Sequence, residues 1–118
     1  MKKIKNIITI ILITILIISC GESNPVITQF KVKSDRLGVL LDTKDGATIS
    51  DLSKYFYEKE EKPDASPDFR FFIDLKFGDR SERWQYSIDG FIRNFDEGYT
   101  TIYQVRDVIG FNRAAKIR

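Results

Sequence analysis

Phe69, Phe71, Ile73, Leu75 and Phe77 occupy every second position of one stretch, with Arg70, Phe72, Asp74 and Lys76 between them. A period of two sustained through five apolar residues predicts a β-strand with one buried face. A looser alternation precedes it. Val26, Thr28, Phe30 and Val32 alternate with Gln29, Lys31 and Lys33, and Leu37 to Asp42 is a second short apolar run. The turn residues Ser34-Asp35-Arg36 join these into a hairpin. After a turn over 78–82, Trp84, Tyr86 and Ile88 alternate again, and Asp89-Gly90 is the signature of a two-residue hairpin loop. Such a loop sets Ile88 opposite Phe91, Tyr86 opposite Arg93 and Trp84 opposite Phe95. A further turn at Asp96-Glu97-Gly98 leads to Tyr99, Thr101, Tyr103 and Val105 at alternate positions. Ile102, Val105 and Ile109 also share a helix face, but the β-branched and aromatic content favours a strand over 102–109.

Between the hairpin and the long strand the period changes. Ile49, Leu52 and Phe56 fall at helical spacing with Tyr55 beside them, which predicts a helix over 49–61. Thr48, with Asp51 three residues on, or Ser50 alone, offers an N-cap, and Pro63 stops the helix. The run Glu58-Lys59-Glu60-Glu61-Lys62 reads as its solvated end, and 112–118 as a short helical turn or a fraying tail. The expected architecture is α+β: a hairpin, one helix, then a meander of three or four antiparallel strands packed against that helix. The alternative is an all-β sandwich with a peripheral helix. One globular domain over 26–118 is expected.

Ahead of this domain the pattern is of another kind. Lys2, Lys3 and Lys5 precede twelve residues, Ile7 to Ile18, in which only Thr9 and Thr14 are polar, and Ser19-Cys20 follow. A basic stretch, a short apolar run and a small residue at the boundary form a secretory signal. At about 1.5 Å per residue the run rises roughly 18 Å, a poor fit to the ~30 Å hydrocarbon core expected of an uncleaved anchor. Ile17-Ile18-Ser19-Cys20 resembles the lipobox of bacterial lipoproteins, a likeness confined to residues 1–21. It implies cleavage between Ser19 and Cys20, a diacylglyceryl group on the Cys20 sulfur, and often an acylated new amine. Residues 1–19 are then a signal peptide and 20–25 a lipidated tether. Gly21 rather than Asp after the cysteine implies export to the outer membrane, facing the periplasm; otherwise the outer leaflet of the cytoplasmic membrane is the destination.

The signal alters the charge picture. The chain of 118 residues carries 19 basic and 17 acidic side chains. Three of the basic ones leave with the signal, so the remaining 99 residues hold 16 against 17, a formal −1. No basic field or stripe remains to attract nucleic acid. Histidine is absent and Cys20 is the single cysteine, which excludes Cys/His metal sites, Ser-His-Asp triads and Cys-His dyads. A disulfide within the chain is excluded too. Nine Phe, five Tyr and Trp84, all beyond the signal, supply the core material instead, each burying ~150–250 Å².

Candidate chemistry is sparse. Asp42-Thr43-Lys44-Asp45-Gly46 faintly resembles an oxygen-ligand calcium loop but lacks the alternating ligands and distal Glu, so a turn is expected and no metal. Asp74 and Asp89 are the best-placed carboxylates for acid–base work, yet Asp74 shares its face with Arg70 and Lys76. No catalytic residue and no cofactor are assigned. Phe72 stands alone among charged outward positions; it is expected to pack under the helix, or else to be an exposed aromatic anchor. Tyr55, Tyr57, Tyr99 and Tyr103 could join it in one partner-binding surface. The expectation is a lipid-anchored, non-catalytic module that binds an envelope protein, as inhibitor, immunity, exclusion or assembly factor. The alternative is a structural envelope lipoprotein that binds peptidoglycan, lipid or a small ligand.

Overall fold

The structure, a computed structural model, describes residues 25–96 and 101–118. Cys20, Ser19 and Tyr99 lie outside the described residues. The order is β1 (Gln29–Ser34), β2 (Gly38–Thr43), α1 (Gly46–Tyr57), β3 (Lys59–Glu61), β4 (Phe71–Phe77), β5 (Arg80–Tyr86), β6 (Phe91–Asn94), β7 (Tyr103–Val105) and α2 (Val108–Ala114). The strands form one antiparallel sheet in the order β2-β1-β4-β5-β6-β7-β3. The fold is α+β, with the sheet packed against helix; it is not an all-β sandwich.

Within β4 the alternation holds, but the strand begins at Phe71; Phe69, expected on its buried face, lies ahead of it, half-buried against the Arg93 guanidinium. Phe71, Ile73 and Leu75 are buried, with Val32 and Trp84 flanking Ile73 on the neighbouring strands. Both helices cover this face. Phe30 on β1 meets Phe56 of α1 at 6.4 Å and Phe111 of α2 at 6.3 Å, and Phe111 lies 5.1 Å from Tyr86. The Tyr86 hydroxyl, wholly buried, donates to Asn112 Oδ1 at 2.6 Å, so the ring enters the core without an orphaned polar tip.

Three elements depart from expectation. α1 begins at Gly46, capped by Asp45, whose carboxylate accepts from the Thr48 amide at 3.0 Å and hydroxyl at 2.7 Å. Neither Thr48 nor Ser50 is the cap. The helix stops at Tyr57, and 59–61 form β3 instead, paired with β7 as Lys59↔Val105, Glu60↔Gln104 and Glu61↔Tyr103. A free sheet edge outcompetes helix propensity in this charged run. Residues 102–109 divide: β7 ends at Val105, and Asp107 accepts from the Gly110 amide at 2.8 Å to cap α2. The tail does not fray, since Ala115 and Ile117 are buried.

The β5–β6 turn differs by one residue. Ser87 N–H donates to Phe91 O at 2.9 Å, and Gly90 N–H to Ser87 O at 2.9 Å, so Ile88-Asp89-Gly90 is a three-residue loop. Gly90 has φ +92°, and a Cβ there would fall 2.5 Å from Val108 Cγ2. Glycine is required on both counts. The register becomes Tyr86↔Ile92, Gln85↔Arg93 and Trp84↔Asn94, not the one expected. A single-residue slip exchanges the two faces of a strand: Ile92 and Asn94 are buried, while Phe95 is 49% exposed.

Truncating Phe111 to alanine should lower unfolding stability by about 3–5 kcal/mol. Ile109→Ala, on the exposed side of the same helix, should change it by less than about 0.5 kcal/mol. Denaturant midpoints compare the two.

Candidate functional site

Because both helices cover one face of the sheet, the alternate side chains of β1, β2, β4, β5 and β6 face away from them. Register places Lys33, Phe72, Gln85 and Arg93 in one row across this open face, and Asp42, Lys31, Asp74 and Arg83 in the next. Phe72 is therefore not under the helix. It is half-buried on the open side, 6.0 Å edge-on from Phe95, with the Arg83 guanidinium 5.0 Å from its ring centre. Arg83 is held in place by Asp74, Nε at 2.7 Å and Nη2 at 3.0 Å, a bidentate charge-assisted pair. That contact raises the Arg83 pKa further. Arg93 repeats the device: its guanidinium stacks 4.9 Å from Phe69 and donates twice to Gln85 Oε1, at 3.1 and 2.7 Å.

The result is an aromatic surface with oriented guanidinium groups. Over these strands it carries Lys31, Lys33, Lys76, Arg83 and Arg93 against Asp42 and Asp74, with Asp96 at its border, a local positive excess within residues 20–118, whose formal charge is −1. Beside it a shallow depression of ≈ 430 Å³ is lined by Gln29, Lys31, Asp74, Lys76, Arg83 and Phe95, among others. Asp74 is engaged by Arg83. Asp89 lies in the β5–β6 turn, where its carbonyl accepts from Gln104 Nε2 at 3.0 Å. Asp45 is a helix cap and Asp42 accepts from Gln29 Nε2 at 2.7 Å, so neither is arranged as a ligand. Among the described residues no cluster of carboxylates could hold a metal ion.

Among the described residues, Tyr55, Tyr57 and Tyr103 do not join Phe72. Tyr55 packs at 6.4 Å from Phe111, between the helices. Tyr57 donates its hydroxyl to Pro25 O at 3.0 Å. Tyr103 pairs with buried Ile92 and thus faces the helix side. Tyr57 and Tyr103 instead surround an unforeseen residue. The Lys59 ammonium lies 4.3 Å from the Phe56 ring centre, 5.2 Å from Trp84, 5.5 Å from Tyr57 and 5.6 Å from Tyr103, and donates to Phe56 O at 3.0 Å. Pointing at the last carbonyls of α1, it closes the helix with a favourable charge. Burial pulls its pKa down to about 8, while the nearby Glu82 carboxylate, itself bonded to Trp84 Nε1 and Arg80, favours the charged form.

Reading the run Glu58–Lys62 as solvated hid Lys59, and the two-residue loop assigned Phe95 to the buried face. Arg83 and Arg93 gave no local signal, because their stacking partners come from other segments. Comparison with known protein families, characterised proteins and solved structures finds no match to this chain.

The Lys59 environment has a consequence for stability. Between about pH 8 and the ordinary lysine value of 10.5, the unfolded chain holds a proton that the folded one releases, so stability rises with pH across that window. Burial raises the pKa of Tyr57 and Tyr86, so ionisation of the unfolded phenols above about pH 10 reverses the trend. Denaturant unfolding should show a maximum between these limits. Lys59→Met should abolish the rising limb and keep the falling one.

Proposed function

We propose that this chain is a lipid-anchored, non-catalytic module of the cell envelope that binds an acidic protein partner on the open face of its sheet. The lipobox-like Ile17-Ile18-Ser19-Cys20 supports the anchor. The observation that carries the binding reading is the pair Phe72 and Phe95 framed by Arg83 and Arg93 on a face that no described element covers. Aromatic and arginine side chains dominate the energetics of protein interfaces. Here the guanidinium groups are already oriented by Asp74 and Gln85, so little rotamer entropy is lost when a partner arrives. The positive excess favours carboxylates opposite and speeds encounter with an acidic surface.

The test places a photo-crosslinking residue at Phe95, on the open face, or at Ile109, on the outside of α2, in the full-length protein in its own cells. A defined protein adduct is expected from position 95 and not from 109. Lys33→Glu should weaken it at least tenfold, leaving thermal stability within about 0.5 kcal/mol of the parent, as for other surface changes. Equal adducts at both positions, or an adduct indifferent to the charge reversal, would refute the assignment. Recovery of the adduct only with sedimented cell wall would favour the structural lipoprotein instead. Cys20→Ser should shift the protein from the membrane to the soluble fraction.

A further inference from the structure

The way the described chain begins bears on how the domain sits at a membrane. Pro25, Val26 and Ile27 do not hang from the domain; they are bound to it. Ile27 is buried at 5% exposure. Pro25 O accepts from the Tyr57 hydroxyl at 3.0 Å. Thr28 N–H donates to Lys76 O at 2.7 Å, and Thr28 Oγ1 accepts from Gly78 N–H at 2.9 Å. The tether therefore meets a fixed point, beside the C-terminal end of α1 and the β4–β5 turn.

Four residues, Gly21 to Asn24, separate Cys20 from Pro25. Fully extended, the chain from Cys20 to Pro25 spans at most roughly 18 Å. Part of that is used in crossing a headgroup layer roughly 5–8 Å deep. Pro25 is thus kept within roughly 10 Å of the headgroup surface. The β1–β2 and β5–β6 turns, at the far end of the six-residue β1, lie about 20 Å further along the strand direction.

The side chains around the fixed point suit such a neighbour. Val26 is 79% exposed. Tyr57 presents an apolar body with its hydroxyl at the rim, as tyrosines do at membrane interfaces. Arg80 lies over the Phe77 ring at 4.4 Å, a pairing that lets an apolar ring and a cation share one interface. Lys54, Lys76 and Arg80 are exposed there, against exposed Glu58 and Asp79 and the Glu82 carboxylate that pairs with Arg80 at 2.6 Å.

We infer that the end of the domain formed by Val26, Lys54, Tyr57 and the Phe77–Arg80 turn rests on the phospholipid headgroups of the membrane that holds Cys20. The opposite end, with exposed Leu37 and Ile88, then projects away from the bilayer. This rests on the lipid-anchor reading of Cys20.

The anchor itself supplies the means of testing it. With the Cys20 sulfur held in a thioether to the diacylglyceryl group, an introduced cysteine is the one free thiol in the chain. Full-length lipidated Arg80→Cys and Arg36→Cys proteins, each labelled with bimane, are reconstituted into phosphatidylethanolamine–phosphatidylglycerol vesicles containing headgroup-nitroxide lipid. Quenching at position 80 should exceed that at position 36 at least threefold, with Lys54→Cys following position 80. Equal quenching, or stronger quenching at 36, overturns the orientation while the anchor stands. Mass analysis of the N-terminal peptide reports the anchor separately. An unmodified Cys20, with protein in the soluble fraction, removes the anchor and this inference with it.

Discussion

Everything in this fold depends on an aromatic cluster that pins two helices to the same side of one sheet. Phe30, Phe56, Tyr86 and Phe111 meet at centroid distances between 5.1 and 6.4 Å, drawing one side chain from each of β1, α1, β5 and α2. A chain with one cysteine cannot staple itself, and a domain of this size has little core to spare. Edge-to-face packing of large rings supplies the burial that a disulfide would otherwise supplement. The buried Tyr86–Asn112 hydrogen bond sets α2 in register with β5 as well as against it.

The same cluster determines what the molecule can offer a partner. Placing both helices on one side leaves the other side of the sheet without a second layer among the described residues, so the aromatics there are accommodated by other means. Phe72 and Phe69 lie beneath guanidinium groups, and those groups are tied to Asp74 and Gln85. Stacked arginine keeps aromatic carbon partly covered without hiding it from an incoming surface. Lys59 is the counterpart on the helical side, where four rings and a helix-end carbonyl hold a cation that burial alone would expel. It also joins β3, at the sheet edge, to the helix that precedes it. Polar and aromatic chemistry are interleaved on both sides, with opposite geometry.

Where local pattern and three-dimensional structure agree, the pattern was long. β4, with Phe71, Ile73, Leu75 and Phe77 in strict alternation, and α1, with Ile49, Leu52 and Phe56 at helical spacing, were legible because each carries its periodicity within itself. The disagreements are short and depend on distant segments. Glu58 to Lys62 lacks apolar periodicity, and becomes a strand at 59–61 because β7 presents an open edge. Asp89-Gly90 suits a two-residue or a three-residue loop equally well. The choice fell to Gly90, which must avoid Val108, and to Ile92, which must be buried.

The amino-acid sequence by itself determined the α+β class, the hairpin, the central strand and the near-neutral charge of the domain that follows the signal-like segment. Composition and period do not depend on what lies next to a residue. Only the tertiary structure decided that Phe72 and Phe95 share a face with Arg83, that Tyr57 and Tyr103 belong to a different site, and that Lys59 is enclosed. Each of those facts depends on contacts between segments far apart in the chain, such as Phe72 with Phe95 and Lys59 with Trp84 and Tyr103. A one-residue change of register, invisible to local pattern, is enough to reverse it.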